Sequence, residues 1–199
     1  MEKIKLGSEV WEKVFASPLY QEIVILVKEI FRRNIRFGDF GTMGIRREEW
    51  GRLRGPREVI PVPLCELILE TDEGLRQCSE KEKQSTAKVS STLKPNISTC
   101  HGGLTDMVIP IVVQGQYCGY VNIRGGLLCH KPDETKWQEI AERVKHTGVD
   151  LKRLEKAYFE MSPTSNELLE VMVKLLNVIV KEIARVAIEV EDSTKRISE

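Results

Sequence analysis

The feature that most constrains this chain is an apolar repeat near its C-terminus. Leu168, Met172, Leu175, Ile179, Ile183, Val186 and Val190 recur at steps of 4, 3, 4, 4, 3 and 4. Alternating threes and fours place these residues on one stripe of an α-helix, a coiled-coil-like seam with one extra residue in its middle step. A second stripe, Leu169, Leu176, Val180 and Ala187, widens the apolar face. Such a helix cannot leave both stripes in water, because each exposed Leu or Ile forgoes roughly 1.5–3 kcal/mol of burial. One stripe is therefore expected to cover the domain's own sheet. The seam is expected to meet a second copy of the chain in a two-fold homodimer. Glu170, Lys174, Lys181, Glu182, Arg185 and Glu189 interrupt the run, which excludes a membrane span.

Upstream of this helix the sequence divides by its periodicities. Ile23, Leu26, Val27, Ile30 and Phe31 recur at helical spacing, so residues 8 to 34 read as helix, ended by Gly38 and Gly41. A linker rich in Gly, Arg and Pro follows, from Gly38 to Pro63. Ser79-Glu80-Lys81-Glu82 has the form of a capping box and predicts a helix running to about Ser91. Met107 to Val113 and Tyr117 to Ile123 are β-rich runs flanking Gln114-Gly115-Gln116, a hairpin whose turn glycine suits positive φ. Helices are expected from Thr135 to Val144, after a cap at Asp150, and after a capping box of Thr164 with Glu167, the last continuing to about Ser193. The organisation expected is an N-terminal helical segment and linker (1–55), an α/β core (56–165) and a C-terminal signalling or dimerisation helix (166–199).

Charge and targeting signals narrow the function classes. Thirty basic residues balance thirty acidic ones, so no global field draws nucleic acid or an acidic membrane. The cluster of arginines between Arg32 and Arg57 reads as a solvated face. The charged N-terminus lacks the apolar core of a signal peptide, and a cytoplasmic location is expected. The five cysteines, an odd number, argue against a disulfide framework there. Cys118 and Cys129 read as packing residues. Cys65, Cys78 and Cys100, with His101, supply ligand types suited to zinc or an iron–sulfur cluster. Their spacings of 13 and 22 residues are unlike the short pairs of dedicated zinc sites. Catalysis is not expected, because a neighbouring Cys-His pair on extended chain points to opposite faces, and Gly125-Gly126 leads into no helix.

The most informative stretch is Cys100-His101-Gly102-Gly103-Leu104, followed by Met107-Val-Ile-Pro-Ile111 and the glycine-turned hairpin. It resembles the PocR sensory domain family, whose pattern pairs a Cys-His-x-Gly-Leu element with a Pro-Ile hairpin and a glycine-bearing strand. The family's cysteine after its first conserved strand is matched by Cys65, and one before a helix by Cys78. Gly148-Val-Asp-Leu-Lys-Arg-Leu154 and Met161-Ser-Pro-Thr-Ser165 are similar to its closing segment. The resemblance covers about residues 60 to 190, and the family's opening strand pair is not evident in the first 55. It implies an α/β (α+β) sensory domain, PAS- or GAF-like, with flanking helices and a long C-terminal helix. The implied ligand is a small organic molecule, such as a simple diol or another short hydrocarbon derivative. The implied partner is an output module, a kinase or transcription regulator. The expected pocket is lined by Cys65, Cys100, His101, Gly103, Ile109 and Ile111. The alternative is a metal- or redox-responsive switch built on Cys65, Cys78, Cys100 and His101.

Overall fold

The hairpin supplies the centre of the structure. In the computed structural model, which describes residues 6–38 and 60–198, β3 (Thr105–Val113) and β4 (Gln116–Arg124) pair antiparallel. Their turn places Gln114 and Gly115 at φ 48° and 75°, the left-handed pair that matches the twist of the flanking strands. The register steps between Ile111 and Val112: Ile111 opposes Gly119 while Val112 opposes Tyr117, leaving Cys118 as the extra residue of a bulge. On the outer sides lie β1 (Asn34–Gly38) against β4 and β2 (Asn96–Thr99) against β3, giving a four-stranded antiparallel sheet in the order β1-β4-β3-β2. Strand β1 was not evident in the sequence. Its five residues continue a helical apolar pattern, and only the alternation of buried Ile35 and Phe37 with exposed Arg36 marks the change.

The two faces of the sheet carry different cargo. Odd-numbered β3 residues Met107, Ile109, Ile111 and Val113, with Cys118, Val121 and Ile123 of β4, face the main core. Three helices cover that face: α1 (Ser8–Ala16), α2 (Pro18–Phe31) and the long C-terminal α7 (Asn166–Ser198). Ser17-Pro18 splits the expected single N-terminal helix in two, because proline tolerates only a first-turn position. Helix α4 (Asp72–Thr92) crosses the other face, with Val89 on Val108 and Tyr120. A second core gathers α3 (Pro63–Leu69), α5 (Glu134–Val144) and α6 (Leu151–Phe159) beside the sheet.

Two cap assignments shift. Helix α4 begins at Asp72, where the Thr71 hydroxyl accepts from the Gly74 amide at 3.1 Å. Ser79 sits inside that helix and donates back to the Leu75 carbonyl at 2.9 Å. Helix α7 is capped by Ser165, which accepts from the Leu168 amide at 3.2 Å, while the Thr164 amide is used on the Leu128 carbonyl. Asp150 caps α6 as expected.

The seam on α7 is reassigned as well. Met172, Ile179, Ile183 and Val186 are buried together with Leu176 and Ala187 against the chain's own sheet and α1. The sheet face takes most of both stripes, while Leu168 at the start of the helix stays 39% exposed. Among the described residues no helix is long and apolar enough to cross a membrane. The Gly-, Arg- and Pro-rich linker, with most of its arginine cluster, lies outside the described residues.

Candidate functional site

The Cys100–Leu104 element forms the turn between β2 and β3. The Cys100 amide donates to the Leu104 carbonyl at 2.8 Å and the Gly103 amide to the Cys100 carbonyl at 3.0 Å. Gly102 and Gly103 are small because the turn is pressed into the second core. A Cβ on Gly102 would lie 2.8 Å from Ile68 Cδ1 of α3, and one on Gly103, at φ +78°, would lie 2.5 Å from Ile140 Cδ1 of α5.

Around this turn three thiols and an imidazole come together from different elements. Cys65 lies inside α3, Cys78 inside α4 and Cys100 on the turn; all three pack on the second core. Cys65 is therefore helical, where the family pattern placed it after a strand, and Cys78 lies within its helix rather than before it. His101 Nε2 stands 3.6 Å from Cys78 Sγ. Burial pushes the Cys65 thiol up to about 12 and the Cys78 thiol to about 11, with neighbouring Cys100 adding to both. Burial lowers the His101 imidazole, with Arg143 and His146 adding repulsion. A folded-state value below the unfolded one means His101 favours folding above its ordinary pKa near 6.5, and that contribution is lost as pH falls.

This corner holds protonated thiols and a neutral imidazole at neutral pH. Among the described residues, no group of three or more His, Cys, Asp or Glu side chains is arranged to hold a metal ion. Mass spectrometry after brief iodoacetamide treatment at neutral pH is expected to leave Cys65 unmodified, since a thiol raised to about 12 holds roughly a thousandfold less thiolate than an ordinary cysteine. Fast labelling of Cys65 would show an ionised thiol ready for metal.

Ile109 and Ile111 do not join this corner. Odd positions of β3 point to the opposite face, where both isoleucines are 1% exposed or less beneath α7. The chain therefore brings together Cys65, Cys78, Cys100, His101 and Gly103 and separates the two isoleucines from them. Cys118 and Cys129 pack on the main core.

The α4 side of the sheet carries polar groups that sequence reasoning missed. Opposed residues share a face, so the row Arg36, Asn122, Val108, Asn96 crosses the sheet beneath α4. Arg36 Nη2 donates to Glu82 Oε1 at 2.7 Å, and the Tyr120 hydroxyl donates to the same oxygen. The Tyr120 ring lies over Gly38, where a Cβ would come 2.0 Å from the ring. Asn96 Nδ2 donates to Ser85 Oγ at 3.3 Å. Asn122 is buried, and its Oδ1 has no hydrogen-bond partner among the described residues. Asp106, on the same face, has its carboxyl pushed up by burial. An open groove of about 540 Å³ runs along α4, lined by Ser79, Glu82, Lys83, Thr86, Ser90 and Tyr120. The signal available in the sequence was the polar alternation Asp106, Asn122 and Arg36 within apolar strands.

A family model described as the sensory domain found in PocR matches residues 56–188. The regulatory protein PocR of Salmonella typhimurium is 32% identical over 59 residues, a stretch covering 30% of this chain and 20% of that protein. The match thus spans about a fifth of that curated relative. No solved structure matches the chain.

Proposed function

The chain belongs to the PocR sensory-domain family, and we propose that it binds a small organic molecule, a short hydrocarbon derivative, on the α4 face of its sheet. The observation that carries this reading is a groove edged by Glu82 and Tyr120 on the sheet face that also holds the buried Asn122 Oδ1, an acceptor without a hydrogen-bond partner among the described residues. A buried acceptor left unmade costs about 1–3 kcal/mol, and a ligand hydroxyl donating to it would recover that energy. Ala87 and the Tyr120 ring give the groove the apolar surface a short carbon chain needs.

Signalling follows from the strand geometry. Even residues of β3 meet the groove side while Ile109 and Ile111 touch the core under α7, so β3 links the two faces. Displacement of the strand on binding would shift α7 and, through it, an output protein or module such as a kinase or transcription regulator. Ile109 and Ile111 act in this scheme as transmitters, not as pocket lining.

Titration calorimetry with short-chain diols, alcohols and aldehydes is the direct test. Asn122→Leu and Glu82→Gln are each expected to weaken the best binder about tenfold, the worth of one hydrogen bond in a half-enclosed site. Unchanged affinity in both variants would remove the groove from consideration.

A second reading is favoured by the convergence of Cys65, Cys78, Cys100 and His101. It is a metal- or redox-responsive switch in which side-chain rotation closes the four around zinc or an iron–sulfur cluster. Metal analysis and a visible spectrum of protein purified without oxygen would detect it. Metal-free, colourless protein would end it.

A further inference from the structure

The outer surfaces of α2 and α7 carry apolar stripes that the domain's own core leaves uncovered. On α2, Leu19, Leu26 and Ile30 are 39–47% exposed, and on α7, Val171 and Val178 are 39% and 36% exposed. Each stripe is edged by a line of charge at the same seven-residue interval. Glu22 and Glu29 run beside Leu19 and Leu26, while Lys174 and Lys181 run beside Val171 and Val178. Seven helical residues rise about 10.5 Å, so both charged lines repeat at one spacing. The signs are opposite.

These charges are not satisfied among the described residues. All four side chains are exposed, and among the described residues none takes part in an ion pair. Helices α2 and α7 pack in one core, yet Glu22 and Glu29 do not pair with Lys174 and Lys181 across it. Arg185, the other cation on that side of α7, is already paired with Glu182 and Glu189. We propose that a second copy of the chain docks on this surface, with α2 of each protomer laid against α7 of its partner in a two-fold dimer. A surface whose two complementary halves lie on one molecule is self-complementary, which is the condition for an isologous interface. The interface uses the outward side of α7, opposite the residues buried on the sheet. It does not depend on the ligand reading and stands or falls separately from it.

Sedimentation velocity across a concentration series tests the interface with two charge-reversal pairs. Wild-type protein is expected to form dimers that weaken as salt rises, because exposed pairs are screened. Glu22→Lys with Glu29→Lys sets lysine against lysine at both contacts, and Lys174→Glu with Lys181→Glu sets glutamate against glutamate. Each double variant should dimerise roughly tenfold to a hundredfold more weakly, with unchanged helical circular dichroism. Mixed in equal amounts, the two variants should recover a one-to-one dimer, since every contact then joins opposite charges. Wild-type protein that stays monomeric at tens of micromolar overturns the proposal. So does a dimer that both reversals leave intact, or a mixture that fails to re-associate.

Discussion

Aspartate at both Ile179 and Ile183 is expected to abolish folding rather than to release a folded monomer. Both residues are 1% exposed or less and belong to the main core with Ile109, Ile111 and Trp11. Losing a buried isoleucine alone costs about 2–5 kcal/mol. A carboxylate in its place adds the penalty of a buried charge without a partner, which is larger still. Two such sites exceed the roughly 5–15 kcal/mol that holds a domain of ordinary size together. Far-ultraviolet circular dichroism and a thermal melt would show the loss directly. Val178→Asp, on the outward side of the same helix, should stay folded, with helical circular dichroism nearly unchanged. A folded double variant would mean that α7 does not cover the sheet.

That contrast explains which parts of the chain were legible in its sequence. Periodicity found α7 and its apolar width, but a helical wheel does not say whether the partner surface is a sheet or another helix. The sheet wins because β1, β3 and β4 present one wide apolar face, and β1 itself was hidden at the end of a helical pattern. The hairpin was legible because its turn chemistry is local: Gly115 takes positive φ, and the flanking runs are rich in β-forming residues. Ser79 misled because a capping box describes local chemistry, and Thr71 supplies the same chemistry further upstream, with more helix to gain. For the site, the Cys-His-Gly-Gly-Leu element drew attention to the right corner of the molecule. Assigning Ile109 and Ile111 to that corner failed on strand parity, since the odd positions of β3 face the main core under α7. Single polar residues within apolar strands were visible in sequence, but the row of Arg36, Asn122 and Asn96 was not, because three strands distant along the chain assemble it.

Gly103→Val is expected to destabilise the domain by about 2–5 kcal/mol, and the source of that loss separates a structural role from a ligand-binding one. Gly103 takes φ +78°, a conformation that costs an L-residue about 1–2 kcal/mol and a β-branched one more. Its missing side chain is also where Ile140 of α5 packs: a Cβ would meet Ile140 Cγ1 at 2.7 Å and Cδ1 at 2.5 Å. Forcing atoms into a filled core adds about 1–3 kcal/mol. Gly148 provides the control, because it takes nearly the same backbone angle, φ +80°, with nothing within 4 Å of the position a Cβ would occupy. Gly148→Val should therefore lose only the backbone share. Chemical denaturation of both variants isolates the packing share as their difference. If the two losses are equal, the turn is not wedged against α5. If Gly103→Val is as stable as Gly148→Val but no longer binds the small molecule recognised by wild-type protein, Gly103 belongs to the ligand site, and the Cys100–Leu104 turn serves recognition rather than joining the second core to the sheet.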